Sequence, residues 1–273
     1  MNRERLISST IMISIAVGAV LNPWVFIIVL LALTMGGLYE FFYLIQKKGI
    51  PIYSYTGILA GLLIPLSVFS RFELTPHWEL LFIVLLLLLI FLLQFVRKDN
   101  TNAIVGISTT LFGILYVSWF FSFLIKVRYL LPGVEGVKLL AFILLVTKGG
   151  DIGALLIGSR WGRHFLLPRI SPGKTVEGSL GGLAFSSLAA VLGKTLIPAQ
   201  FGFSPWHIAL MGVFFGGVGQ MGDMSESLIK RDCNVKDSGK LFPGLGGVLD
   251  MIDSLLFSAP AFYFYMSSVL TAH

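Results

Sequence analysis

Asp223, Glu226 and Ser227 stand at positions i, i+3 and i+4, and Asp250 and Asp253 at i and i+3. On helices each set shares one face, so two helices would each turn carboxylates toward a shared cavity. Asp151 offers one more carboxylate upstream. Such oxygen donors form a hard-ligand site, suited to one or two Mg²⁺ ions far better than to zinc. His164, His207 and His273 fall in loops or at ends and are read as incidental.

Between the carboxylate pairs runs a basic segment, Lys230, Arg231, Lys236 and Lys240, closing into Pro243-Gly244-Leu245-Gly246-Gly247. Glycine-turn N–H groups at a helix start favour phosphate, and four cations can offset a triphosphate. Taken alone, the segment is an ordinary basic loop. Flanked by the carboxylates, it reads as a nucleotide-phosphate and metal site. A second loop holds Arg163, Arg169, Ser171, Lys174, Thr175 and Glu177, and opens onto an apolar run at Gly178. Its Ser171-Pro172-Gly173-Lys174-Thr175 is not a P-loop, because Pro168 stands where the first glycine is required.

The elements that must position these groups are membrane helices. The chain is 56% hydrophobic and 12% charged, with a mean hydropathy of +0.87, too few charges to cover a soluble domain of 273 residues. Nine apolar runs are long enough to be read as spans: residues 6–21, 24–45, 52–70, 78–96, 103–125, 137–158, 178–197, 206–225 and 247–269. Run length argues for helices rather than a barrel. The expected fold is an all-α polytopic membrane protein of about nine transmembrane helices. Residues 6–21 are taken as a span rather than a cleaved leader, since a full span follows Asn22-Pro23.

Loop charge sets the orientation. Nine spans put fourteen of the twenty Lys and Arg on the side of the N-terminus and five on the other, with Lys148 inside a span. That bias places the N-terminus in the cytoplasm. It also accounts for the net charge of +6 through anionic lipid rather than nucleic acid, for which no aromatic-basic platform exists. A lone Cys233 excludes an internal disulfide.

The two halves differ. Residues 1–136, about five helices, carry structure or lipid access. In them Glu40 and Glu79 lie at span ends, read as interfacial and without function. Residues 137–273 form the catalytic region, with cytoplasmic loops 159–177 and 226–246. There Lys148 and Asp151 could form a structural ion pair one turn apart, but acids near the ends of three spans favour a functional centre. Glycines four apart, Gly149/Gly153, Gly178/Gly182 and Gly212/Gly216, would let these helices approach closely.

Gly222-Asp223-x-x-Glu226-Ser227-x-x-Lys230-Arg231, Val235-Lys236-Asp237-Ser238-Gly239-Lys240, Pro243-Gly244-x-Gly246-Gly247 and Asp250-x-x-Asp253-Ser254 together resemble the signature of phosphatidate cytidylyltransferases. The stretch from Asp151 through Ser171-Pro172-x-Lys174-Thr175-x-Glu177-Gly178 is similar to the family as well. The resemblance covers roughly residues 147–260. Leu245 replaces the usual histidine, Met251 the usual arginine, and Leu156 an aromatic; all three are read as permitted variation.

The resemblance implies transfer of CMP from CTP to phosphatidic acid at the inner (plasma) membrane, with the active site facing the cytoplasm. Asp223 and Asp250 would be principal metal ligands, supported by Asp253, Glu226 and Asp151. Lys230, Lys236 and Lys240 would join Asp223 and Asp250 in catalysis. Ser171, Lys174, Thr175, Ser227, Arg231, Asp237, Ser238, Gly246 and Gly247 would hold the nucleotide or lipid phosphate. A homodimer is compatible with the resemblance and required by no residue. The same constellation would serve a CTP-dependent enzyme acting on another lipid, such as a CDP-archaeol-type synthase or a polyprenol kinase. Weaker alternatives are an inactive homologue and a transporter.

Overall fold

The computed structural model describes residues 16–72, 75, 77–239 and 246–272. Eight long helices dominate it: α1 (Pro23–Lys47), α2 (Ser54–Ser70), α3 (Trp78–Val96), α4 (Ala103–Arg128), α5 (Val134–Trp161), α6 (Val176–Leu192), α7 (Pro205–Asp232) and α8 (Val248–Ala272). They answer to the second through ninth expected spans. Most of the first expected span lies outside the described residues, and its last six, 16–21, are helical. Helices α1, α3, α4 and α5 are long and apolar enough to cross a membrane, and α2 and α6 are shorter apolar helices. The protein is a helical membrane protein.

Helix limits follow local chemistry. Asn22 caps α1, its Oδ1 accepting from Trp24 N at 2.9 Å and Val25 N at 3.3 Å, while Pro23 sits where no N–H is needed. The expected span 178–197 is corrected by the structure. Its helix starts at Val176 but stops after 17 residues at Gly193, and two 3₁₀ turns follow before Pro205. The fold is all-α as expected, with one small antiparallel hairpin in the loop before α6, β1 (Phe165–Leu167) and β2 (Ser171–Thr175). A strand only five residues long with Pro172 and Gly173 inside it carries no alternating pattern that sequence could reveal.

The chain forms two compact units, residues 1–122 with 237–249, and residues 123–236 with 250–273. In the first unit α1 and α2 pack through small residues. A Cβ on Gly57 would strike the Phe42 ring, and one on Gly61 would strike Leu38. Phe41 and Phe42 are buried, with Phe112 and Tyr116 of α4 around Phe41. Between Ile114 and Trp119, α4 widens into a π turn, where Ser118 donates to the Gly61 carbonyl of α2.

In the second unit the glycines of α5, α6 and α7 do the packing expected of them. Gly158 meets Gly178 backbone to backbone, and Gly153 faces Phe185. Gly150 and Gly216 both abut the buried Ser186, whose hydroxyl donates to Val146 O at 3.0 Å. Helix α8 contributes Ile252, Leu256, Ala259 and Phe262 to this core, with Phe262 edge-on to Phe215 of α7. On α7, Gly222 lies against the Asp253 carbonyl of α8. Close helices of this kind are what bring charges on three different helices within reach of one another.

Candidate active site

The second unit holds a cavity of about 310 Å³, lined among others by Asp151, Lys174, Thr175, Gly178, Gln220 and Asp223. Three elements converge on it. Helix α5 supplies Asp151, the β1–β2 hairpin supplies Lys174, and α7 supplies Gln220 and Asp223 one turn apart. Gln220 ties α7 to α6, its Nε2 donating to Ser179 O at 3.0 Å while Ser179 Oγ donates to its Oε1 at 2.5 Å. Thr175 Oγ1 accepts from Gly178 N at 3.1 Å, so this hydroxyl caps α6 at the cavity wall. Glu177 secures the hairpin by accepting from Arg163 N at 3.0 Å and His164 N at 3.2 Å.

Lysines occupy the spaces between the carboxylates. Lys174 pairs with Asp223. Lys148 Nζ donates to Asp151 Oδ2 at 2.9 Å, Ser254 Oγ at 3.0 Å and the Met251 carbonyl at 3.1 Å, and Ser254 Oγ donates in turn to Asp151 Oδ2 at 3.0 Å. An ammonium from α5 therefore reaches the backbone of α8 at Met251. Lys230 sits between two carboxylates, Glu226 one turn back on α7 and Asp250 on α8. Glu226 is 0% exposed, and its Oε1 has no hydrogen-bond partner. Asp253 is also buried, its Oδ1 accepting from Ser254 N.

The remaining expected site residues divide. Arg231 is engaged with backbone, Nε to Ile170 O at 3.1 Å and Nη1 to Val235 O at 3.0 Å, so it braces the hairpin turn. Ser171 is half-buried on β2 and Ser227 buried on α7. Lys236 and Asp237 are exposed. Lys240 and Leu245 lie outside the described residues.

Ser238, Gly246 and Gly247 belong to the first unit, where the structure corrects the reading of Glu40 as interfacial. Glu40 is buried on α1 and accepts three hydrogen bonds of 2.9 Å, from Ser238 Oγ, Val248 N and Leu249 N. The first N–H groups of α8, expected to be open to phosphate, are thus taken by a carboxylate. A lone acid in an apolar helix costs about 2.5–3.5 kcal/mol on insertion scales, which was the signal that it had partners.

Among the described residues no three His, Cys, Asp or Glu side chains form a ready metal-binding group. The donor chemistry nonetheless fits a hard divalent cation. Carboxylates converge on the positive charge of Lys230, and the orphaned Glu226 Oε1 is an oxygen that a cation would satisfy.

The cytidylyltransferase family matches residues 3–269 of the chain. The chain belongs to that family. Among its relatives is a phosphatidate cytidylyltransferase of Synechocystis sp., 34% identical over 99% of this chain and 98% of the relative. Another, from Bacillus subtilis, carries the same name and is 34% identical over 83% and 84%. An uncharacterized Escherichia coli protein, YnbB, is 43% identical over 48% of this chain and 43% of its own. The cytidylyltransferase match takes in the N-terminal helices as well, beyond the roughly 147–260 that carried the sequence resemblance. Sequence reasoning on this cytidylyltransferase missed Glu40, Gln220 and the role of Lys148 as a bridge between α5 and α8.

Proposed function

We propose that the chain transfers CMP from CTP to phosphatidic acid, giving CDP-diacylglycerol and pyrophosphate. An oxygen of the lipid phosphate attacks the α-phosphorus of CTP. One P–O bond forms, the bond to the bridging oxygen of the pyrophosphoryl group breaks, and pyrophosphate leaves with that electron pair. The nucleophile is already an anion, so no side chain need remove a proton. The task is to bring two polyanions together, which calls for positioned positive charge.

The observation that carries this reading is the cavity where Lys174 meets Asp223 beside Asp151, in a chain whose full-length relative bears the cytidylyltransferase name. Each lysine held by a carboxylate is a cation that an incoming phosphate can draw away, freeing the carboxylate as it moves. Lys174 and Lys230 would turn toward the triphosphate, with Lys236 and Lys240 binding from the loop. Ser171, Thr175, Ser227, Arg231, Asp237, Ser238, Gly246 and Gly247 would shape or brace the phosphate pocket. Asp223 and Asp250, supported by Asp253, Glu226 and Asp151, would hold one or two Mg²⁺. Such an ion supplies charge neutralisation on the phosphoryl oxygens and the leaving group.

Placement follows from the charge bias. With nine spans and a cytoplasmic N-terminus, the hairpin loop 162–175 and the segment between α7 and α8 would face the cytoplasm, and the membrane would be the cell inner membrane. A homodimer is one arrangement compatible with this reading. The direct experiment is pyrophosphate release by detergent-purified protein given CTP, Mg²⁺ and phosphatidic acid, omitting each in turn. Release is expected only when all three are present; release without phosphatidic acid would mean a different acceptor.

A further inference from the structure

Lys148 has no place in the chemistry above, yet it is a cation set near the middle of α5, a 28-residue helix long and apolar enough to cross a membrane. A charge at such a position is costly, so its partners have to be built in. Its ammonium carries three N–H donors and meets three acceptors. These are Asp151 Oδ2 at 2.9 Å one turn ahead, and Ser254 Oγ at 3.0 Å and the Met251 carbonyl at 3.1 Å, both on α8. Ser254 Oγ donates in turn to Asp151 Oδ2 at 3.0 Å, closing a ring of lysine, carboxylate and hydroxyl. The backbone that carries Lys148 is held on two sides. Toward α6, a Cβ on Gly149 would stand 2.9 Å from Ala189 Cβ, and one on Gly150 would strike Ser186 Oγ. Toward α8, the hydroxyls of Thr147 and Ser258 share a hydrogen bond of 3.3 Å.

We infer that Lys148 is a positioning residue: a seated ammonium that stays in place through the reaction and holds Asp151, its charge compensated, at the wall of the cavity. The inference rests on the proposed CTP reaction for what enters the cavity, and on the geometry of α5 and α8 alone for the seat. Lys174 pairs with Asp223 from the hairpin, where an incoming phosphate can draw it away. Lys148 would have to give up three acceptors on two helices at once. Asp151 and Asp223 both line the cavity. Once Lys174 turns to phosphate, one carboxylate there has lost its cation, and an uncompensated Asp151 would add a second repulsion against the polyanion. A cation fixed on Asp151 removes that repulsion. It also directs the carboxylate, because Oδ2 accepts from both Lys148 and Ser254 and Oδ1 is the oxygen left to offer.

Lys148→Ala removes the ammonium and leaves its acceptors, and ethylammonium chloride is the probe that can refill the seat. Tetramethylammonium chloride at the same concentration is the control, a cation without N–H donors. The first readout is thermal unfolding of the purified full-length protein in detergent, without substrate. Ethylammonium is expected to raise the midpoint of Lys148→Ala by about 2–4 °C over tetramethylammonium and to leave the parent chain unmoved. The second is pyrophosphate release. Lys148→Ala is expected to lower kcat/KM for CTP about 10²-fold, and ethylammonium to recover at least about tenfold of that loss. Adding Lys148→Ala to Asp151→Asn should cost little beyond Asp151→Asn alone, because Lys148 acts through Asp151. Should Lys148→Ala fail to fold, Ser254→Ala keeps the charge pair and removes the hydroxyl that joins it to α8. Its kcat/KM is expected to fall about three- to tenfold.

No stabilisation by ethylammonium beyond the control would overturn the seat. Stabilisation without recovery of pyrophosphate release would overturn the positioning role and leave Lys148 a structural ion pair. Fully additive losses in the double variant would overturn action through Asp151, and undiminished release in Ser254→Ala would overturn the positioning role as well. Absence of CTP turnover in the parent chain would count against the proposed reaction, and the thermal result would still decide whether the seat exists.

Discussion

Two buried glutamates in this protein are treated in opposite ways. Glu40, in the first unit, has three donors at 2.9 Å and glycines shaped around it. Glu226, in the second, is fully buried, pairs with a lysine that it shares with Asp250, and leaves Oε1 unbonded. A carboxylate whose every need is met by backbone and hydroxyl is built to stay put. One left partly unsatisfied beside a shared ammonium retains capacity for a ligand or a cation. On the proposed reaction, local satisfaction would separate a carboxylate that organises structure from one available for chemistry, though both look alike in sequence.

The contrast can be broken most forcefully at the carboxylates assigned to chemistry. Asp223→Asn and Asp250→Asn should each lower turnover by about 10²–10³, with thermal unfolding in detergent little changed. Near-normal turnover in both at limiting Mg²⁺ would remove them from the site. Next in size is Lys230→Met, which leaves Glu226 and Asp250 without their shared cation. It should cost about 3–5 kcal/mol of stability, seen as a lower midpoint in a thermal scan, along with activity.

Glu40→Gln should be smaller, about 1–3 kcal/mol for donors left unmatched, in the same thermal measurement. Glu226→Gln should have the smallest effect on stability, at or slightly above the parent midpoint, because it removes a buried charge that was not fully compensated. Its turnover should nonetheless fall. A glutamine at 226 that destabilises as much as one at 40 would erase the distinction.

How much of this was legible in the sequence depends on the distance over which each contact acts. Lys148 with Asp151, and Glu226 with Lys230, are one turn apart, and helix periodicity exposes such pairs. Lys174 with Asp223 and Lys230 with Asp250 join residues on separate elements; their types were recognisable, their partners were not. Glu40 was misread because its donors lie about two hundred positions away and two of them are backbone N–H groups, which carry no residue signature. The hairpin escaped notice because its strands are short and built partly from Pro172 and Gly173. The glycine pairs of α5, α6 and α7 were readable because close helix packing constrains residue size at regular spacing.

The most direct measurement is identification of the lipid product, by mass spectrometry, after purified protein is given CTP, Mg²⁺ and phosphatidic acid. CDP-diacylglycerol formed in step with pyrophosphate is the predicted result, and it should vanish in Asp223→Asn. CTP consumed without any CDP-lipid, or CDP-lipid formed undiminished by Asp223→Asn, would contradict the assignment of reaction and site.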